Sequence, residues 1–498
     1  MWNKERIKTL SDKAIKLLKE QGKKCLYGEI RFVNQEKRNI SSQNGNCSTG
    51  SDTEKGYGIR VLTEGTNSRQ GWGFASTSIL DDETLLKIVN EAVLNGEANQ
   101  LFQPKDTTTV KFEGSTEIGT YATPVEIDPF HIPLSELGKR VLTMEEKVKG
   151  ERAISTSAFI SADRQDKYFF NTTGANIHQT ITYIGGSVTV MVSSKEGNHN
   201  QSCSYPAPAG NFNTAGLEHI DNMNIEKNAE TLYDTACEIC DSPECEEGIK
   251  TVVIGPQMLA LLVHEVAGHA LELDRALGQE AAYAGRSFLK TDEMTKLVYG
   301  ADIVNIVSDT TYEGAVSTYG WDDEGTKSRK VYMIKDGIHV NYLSGRGNAH
   351  LLGLKSAGAC RSIGWHRQPI DRITNVNLLP GDKLTAEEII ASVDDGLYLN
   401  IPCGWSINSD RNGFRFSVER CREIKNGKLG KYLRNGAFSA ETTPEFWAKC
   451  ISIAKDKPAN LGFANCAKGQ PVQVQYTGHV VPQAVRFDNV NTGEASNE

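Results

Sequence analysis

The first residues place apolar side chains at helical spacing, with Ile7, Leu10, Ala14, Leu17 and Leu18 recurring at intervals of mostly three and four before Gly22. This pattern predicts an amphipathic helix closed by glycine. Residues 29–33 read as a short strand, and the stretch between 34 and 56, centred on SSQNGNCSTGSD, is polar enough to be expected as a loop. Residues 56–62 and 71–77 read as paired strands, and 82–94 as a capped amphipathic helix. From Pro104 to Pro133 the pattern weakens as Pro and Thr accumulate, which marks a connection. A second section begins near Leu134, where residues 187–193 alternate as a half-buried strand after an expected tight turn at Gly185-Gly186. From about Tyr233 onward, short strands with glycine turns dominate, as in KDGIHVNYL and CREIKNGKL. The expected fold class is α+β. It comprises a mixed α/β section (1–110), a central β-rich section (111–232) and a β-rich C-terminal domain (233–498) that carries the helix described next.

Residues 249–276, IKTVVIGPQMLALLVHEVAGHALELDRA, begin as a β-branched strand, turn at Gly255-Pro256 and continue as a helix with proline in its permissive first turn. At about 100° per residue from His264, Gly268 falls near about 40°, Glu272 near about 80°, Glu265 near about 100° and His269 near about 140°. Two imidazoles and two carboxylates therefore share one arc of a helix otherwise made of Leu, Val and Ala. Polar residues on the wet side of a half-buried helix would be the ordinary reading, but so apolar a setting makes them costly unless they bind something, and a metal suits these groups. Zincins space their histidines i, i+4 with the intervening Glu free as a base. Here the spacing is i, i+5, too wide in a straight α-helix for one tetrahedral ion, so an irregular π turn between Val266 and His269 is expected, with Gly268 as the place where the backbone can give.

The chain has 498 residues, with 54 Lys+Arg against 63 Asp+Glu for a net charge of −9. That length can bury a core without metal or disulfides, and the acidic balance, without a basic block, argues against nucleic acid as a partner. Eleven dispersed cysteines fit a reducing compartment. The N-terminus lacks the apolar core of a secretory signal, and the longest apolar run, Met258 to Val263, is far short of the ~20 residues that cross a bilayer, so a cytoplasmic protein without membrane contact is expected. Cys237, Cys240 and Cys245 have metal-like spacing but no second ligand group nearby, and are read as ordinary thiols. His339 and His366 are read as surface or hydrogen-bonded residues rather than ligands.

Taken together, several segments resemble the TldD/PmbA family of metallopeptidases. Residues 264–272, HEVAGHALE, are similar to that family's HExxGHxxE segment. GYGIR with GWGFAST resembles its N-terminal signature, and Asp128-Pro129-Phe130 the start of its middle section. Trp321-Asp322-Asp323-Glu324-Gly325, the stretch from Pro369 to Asn375, and Asp395-Gly396-Leu397-Tyr398 resemble further family segments, so the likeness spans nearly the whole chain. The resemblance implies a zinc-dependent peptidase with His264 and His269 as ligands and Glu265 as the base that activates water. It also implies a third ligand, Cys466, in Asn465-Cys466-Ala467-Lys468-Gly469-Gln470, one residue shorter than the family's Cys-x-Lys-x-x-Gln-like pattern. Glu272 is then a runner-up ligand or an acceptor for a histidine N–H. Arg372 and Asn375 either hold substrate or the oxyanion, or serve an ordinary loop. The implied substrates are peptides or unfolded polypeptide segments, bound as an extended chain, by a homodimer or a heterodimer with a PmbA/TldE-like protein. A non-catalytic scaffold subunit of such a complex and a metal-dependent amidase are the alternatives.

Overall fold

A computed structural model describes residues 3–65, 69–102, 112–283 and 285–494. Helix α1 (Lys4–Glu20) begins where the Asn3 side chain accepts from the N–H groups of Glu5 and Arg6, and it buries Ile7, Leu10, Ala14 and Leu18. Strands β1 (Tyr27–Gln43) and β2 (Asn46–Glu64) form one long antiparallel hairpin in which Gln43 faces Asn46. Asn44 and Gly45 at its tip have φ of 49° and 81°, the left-handed pair that a tight hairpin turn requires. The expected loop between 34 and 56 is thus a β arm. Its backbone groups are satisfied by the partner strand, so its outer side chains can remain polar and exposed, and Asn44-Gly45 was the turn signal inside the polar run.

Strand β3 (Gln70–Thr77) continues the sheet and helix α2 (Asp82–Asn99) covers it, capped by Asp81. Strand β4 (Ile118–Ala122) and helix α3 (Leu134–Glu146) follow, the latter packing on β1 and β5 (Ala153–Asn171). Part of the expected connection from Pro104, residues 104–111, lies outside the described residues. Strands β6 (Asn176–Ser193), β7 (Asn200–Tyr205) and β8 (Asn211–Thr214) complete an eight-stranded sheet of order β3-β2-β1-β5-β6-β4, with β7 and β8 also paired to β6. Gly185 and Gly186, expected at a turn, lie inside β6 opposite Phe212 and Asn211 of β8. A Cβ on Gly185 would stand 2.5 Å from the Phe212 ring, so the glycine admits that ring against the strand.

The C-terminal section is built on a ring of strands. Strand β9 (Gly248–Ile254) pairs in parallel with Asp395–Ile407 and antiparallel with Val485–Glu494. The ring runs on through Gly436–Ala440 and Phe414–Lys425, which returns to Asp395–Ile407. Closure leaves the ring few free edges, and its interior packs against the helix that follows β9. The acidic run at 322–324 docks this section on the N-terminal sheet. Arg60 of β2 bridges Glu29 and Glu324 at 2.8 Å each, and Lys167 of β5 reaches Asp323 at 3.2 Å, all buried. Among the described residues no helix is long and apolar enough to cross a membrane.

Candidate metal centre

β9 ends at Gly255, and Pro256 starts a short α-helix, Pro256–Leu262, whose apolar residues pack into the core of the C-terminal section. The next six residues, Val263–Gly268, form a π turn in which the His269 N–H donates to the His264 carbonyl at 3.1 Å, a bond across five residues. The expected irregularity is present and begins three residues earlier than the sequence suggested. Its effect is to bring the rings of His264 and His269 to 4.8 Å between centroids. Gly268 lets the turn lie against Ile373, where a Cβ would come within 2.9 Å of Cδ1.

Cys466 reaches the same place from the hairpin Ala459–Lys468/Gln473–Val481. Its Sγ lies 3.6 Å from His269 Nε2, and ligand atoms of His264, His269 and Cys466 all fall within 4.8 Å of one another. No other cluster of three or more His, Cys, Asp or Glu suited to a metal occurs among the described residues. Cys237, Cys240 and Cys245 form no such group, and the eleven cysteines are all free.

The hydrogen bonds fix which nitrogen of each imidazole is available. His479 Nδ1 lies 2.8 Å from the Val376 carbonyl, which can only accept, so this nitrogen carries the proton and Nε2 of His479 is an acceptor. His264 Nδ1, 2.9 Å from that acceptor, must donate to it, which leaves the lone pair on His264 Nε2. His269 Nδ1 donates to Glu272 Oε2 at 3.0 Å, leaving its Nε2 facing Cys466. Burial pushes His264 down to about 4 and also lowers His269, so both rings are neutral near pH 7. Burial alone would raise the Cys466 thiol, but Arg372 and His269 outweigh it and pull the thiol below its usual range.

Glu272 is not among the clustered ligand atoms. It accepts from His269, from Arg275 Nε at 2.8 Å and from the Ile373 N–H at 3.1 Å, and it lies 3.4 Å from Lys468 Nζ. Burial opposes ionisation, yet Lys468, His269 and Arg275 hold its carboxyl well below the usual range. Glu265 points elsewhere. Its Oε2 accepts from Arg411 Nη1 at 3.2 Å, and Glu265, Arg411, His264, His269 and Cys466 all line one cavity of about 310 Å³ whose apolar wall includes Leu261, Trp405 and Phe463.

Arg372 and Asn375 do not reach this cavity. Arg372 is fully buried behind the cluster and donates to the Cys466 carbonyl at 2.6 Å. Asn375 accepts from the Ser317 N–H at 2.8 Å and donates to Asp309 O and Thr318 Oγ1, while its amide fills the space against Gly478 where a Cβ would stand. Two residues that sequence reasoning missed are His479 and Arg411. Polar residues at every second position, Gln473, Gln475, Thr477 and His479, marked a polar strand face that could have drawn attention to His479. Arg411 sits at φ 61° in the turn-forming run Ser409-Asp410-Arg411-Asn412-Gly413, which carries no chemical signature.

The chain belongs to the PmbA/TldA metallopeptidase family: residues 28–96 match its domain 1, 127–238 its central domain and 247–494 its C-terminal domain. It is 26% identical to a metalloprotease of Methanocaldococcus jannaschii over 90% of this chain and 94% of that one. It is 23% identical to a zinc metalloprotease TldD homolog of Saccharolobus solfataricus over 85% and 88% of the two chains. Among solved structures, TldE from Thermococcus kodakarensis shares the fold with a TM-score of 0.66 at 15% identity, covering 98% of this chain and all of that one. A Thermotoga maritima protein described as a candidate modulator of DNA gyrase shares it with a TM-score of 0.73 at 18% identity, covering 98% and 100%.

Proposed function

We propose that the chain is a zinc-dependent peptidase that hydrolyses peptide bonds in peptides or unfolded polypeptide segments, with His264, His269 and Cys466 as the metal ligands and Glu265 as the general base. The observation that carries this reading is the convergence of two neutral imidazole Nε2 atoms and an acidified thiol beside a carboxylate left outside the cluster. The donor set fits the ion. Zn–S of about 2.3 Å and Zn–N of about 2.0–2.1 Å around a tetrahedral centre place sulfur and nitrogen about 3.6 Å apart, and Cys466 Sγ stands 3.6 Å from His269 Nε2. The zinc-metalloprotease relative supports the same choice.

Bound zinc would acidify a water and polarise the scissile carbonyl. The chain's own residues supply the rest. Glu265 takes the proton of the attacking water and passes it to the leaving amine, held in place by Arg411. Trp405, Phe463 and Leu261 give the cavity an apolar wall, which strengthens these charges. Arg372 acts from behind, fixing the Cys466 backbone rather than touching substrate. A homodimer or a complex with a PmbA/TldE-like protein belongs to the same proposal, and the likeness to TldE supports it.

Elemental analysis with hydrolysis of an unfolded protein tests the reading. Wild type should carry about one zinc per chain, lost in His264→Ala and Cys466→Ala and retained in Glu272→Ala at weakened affinity. Glu265→Gln should keep the zinc and lose hydrolysis by about 10²-fold or more. A wild type that neither contains nor takes up zinc would overturn the proposal, and metal binding with no hydrolysis to lose would leave the scaffold alternative.

A further inference from the structure

A second cavity, of about 180 Å³, lies between the N-terminal sheet and the C-terminal section and shares no lining residue with the one beside the histidines. Its floor comes from neighbouring strands of the sheet. Gln35 and Lys37 of β1 stand in register with Gln165 and Asp163 of β5, and Lys167 lies two residues further along. Its roof is Arg361 and Ser362 with Gln475 of the Cys466 hairpin. Long polar side chains on central strands of a covered sheet are costly unless their hydrogen bonds are made.

Here several are not made. Asp163 Oδ1, Gln35 Oε1, Ser362 Oγ and Gln475 Nε2 make no close hydrogen bond, although the Tyr476 hydroxyl in the same lining acts on the Asp163 carboxyl, and the four residues are between 2% and 7% exposed. The orientation of the Gln35 amide is settled, because its nitrogen donates to Asp163 Oδ2 at 2.7 Å and its oxygen must be the free atom. The floor therefore offers two unused acceptors. Lys167 beside them is neutralised by Asp323, and Lys37 lies 3.8 Å from Glu54. The roof offers the unpaired Ser362 hydroxyl and a Gln475 amide free to turn its nitrogen inward, around a buried cation. Arg361 Nη1 donates to Ser317 Oγ, Ile373 O and Tyr476 O, none of them a carboxylate.

We propose that this cavity binds a free α-amino acid, its ammonium held by Asp163 and Gln35 from the sheet and its carboxylate by Arg361, Ser362 and Gln475 from the roof. Such a ligand matches acceptors on one wall and donors on the other. A plain carboxylate would leave the floor unanswered, and a plain amine the roof. Burial pushes the Asp163 carboxyl up to about 6, still ionised for the most part near pH 7, and an ammonium placed against it would favour the charged form further. The space of about 180 Å³ has room for a small amino acid. Amino acids are what a peptidase acting on short peptides releases, but the site itself is independent of that reading, and Glu265→Gln should bind as wild type does.

Isothermal titration of the full-length protein with glycine, L-alanine and L-serine tests the proposal, with acetate and methylammonium as probes of single charge. At least one amino acid should bind at about 1 mM or tighter, about tenfold more tightly than either single-charge probe. Asp163→Asn and Gln475→Leu, checked for folding by thermal melting, should each weaken it by about tenfold. No binding by any of the three amino acids would overturn the inference and assign the polar atoms to solvent. Acetate binding equal to that of the amino acids, or full binding retained in either folded variant, would overturn it as well.

Discussion

At the residue scale, the lone pair that His264 offers depends on a side chain thirteen residues beyond Cys466. His479 is fixed by the Val376 carbonyl and in turn fixes His264. His479→Phe removes the acceptor and frees His264 to take the wrong tautomer, so zinc affinity in a competition titration should fall by about 10–100-fold. His479→Gln can still accept from His264 and donate to Val376, and should recover most of that loss. Equal affinities for wild type and the Phe variant would exclude this positioning role. The histidines and Glu265 were legible because they share one short segment with a diagnostic spacing. His479 and Arg411 were not, because each meets the cluster only through a contact between segments distant in sequence.

At the element scale, the π turn follows from local sequence, an i, i+5 pair with glycine between, whereas the β arm required reading Asn44-Gly45 as a hairpin tip inside a polar run. The strand Phe414–Lys425 carries a different local tension. Glu419 accepts from the Ser204 N–H of β7 at 2.7 Å, its other oxygen has no partner, and burial pushes its carboxyl up to about 7. A folded-state pKa above the unfolded one means that the folded protein holds the proton longer. The associated stability is full below about pH 4.3 and is lost as pH rises through about 7. Glu419→Gln keeps the acceptor without the charge. Its Tm should match that of wild type near pH 4 and exceed it at pH 8, by an amount corresponding to a few kcal/mol at most. A constant difference across that range would show that the carboxyl does not titrate as its burial implies.

At the scale of the whole molecule, the two halves are held by buried charge as well as by apolar packing. Arg60, stacked over Trp72 at 4.4 Å, is the only cation bridging both Glu29 and Glu324 among the described residues. Arg60→Met should cost about 3–5 kcal/mol in urea unfolding, because it strands two buried carboxylates. Adding Glu29→Gln and Glu324→Gln should recover much of that. If the triple variant is no more stable than the single one, the loss lies in packing rather than charge.

The sequence by itself determined what short-range spacing can encode: the amphipathic helices α1 and α2, the strand-Gly-Pro-helix unit that starts with β9, and a polar arc of His264, Glu265, His269 and Glu272 in an apolar segment. The helix expected to run to Ala276, however, gives way to the π turn after Leu262, and Glu272 takes an extended backbone bridged to Leu343. The tertiary structure alone decided the roles within that arc. Glu272 turns away to hold His269 because Lys468, Arg275 and the Ile373 N–H surround it, while Glu265 faces the cavity because Arg411 arrives there. It also decided that Arg372 and Asn375 lie behind the cluster rather than in the cavity. The physical reason is range. Helical and strand periodicity are properties of neighbours along the chain, but the protonation state, orientation and accessibility of a buried polar group are set by whatever the fold packs against it.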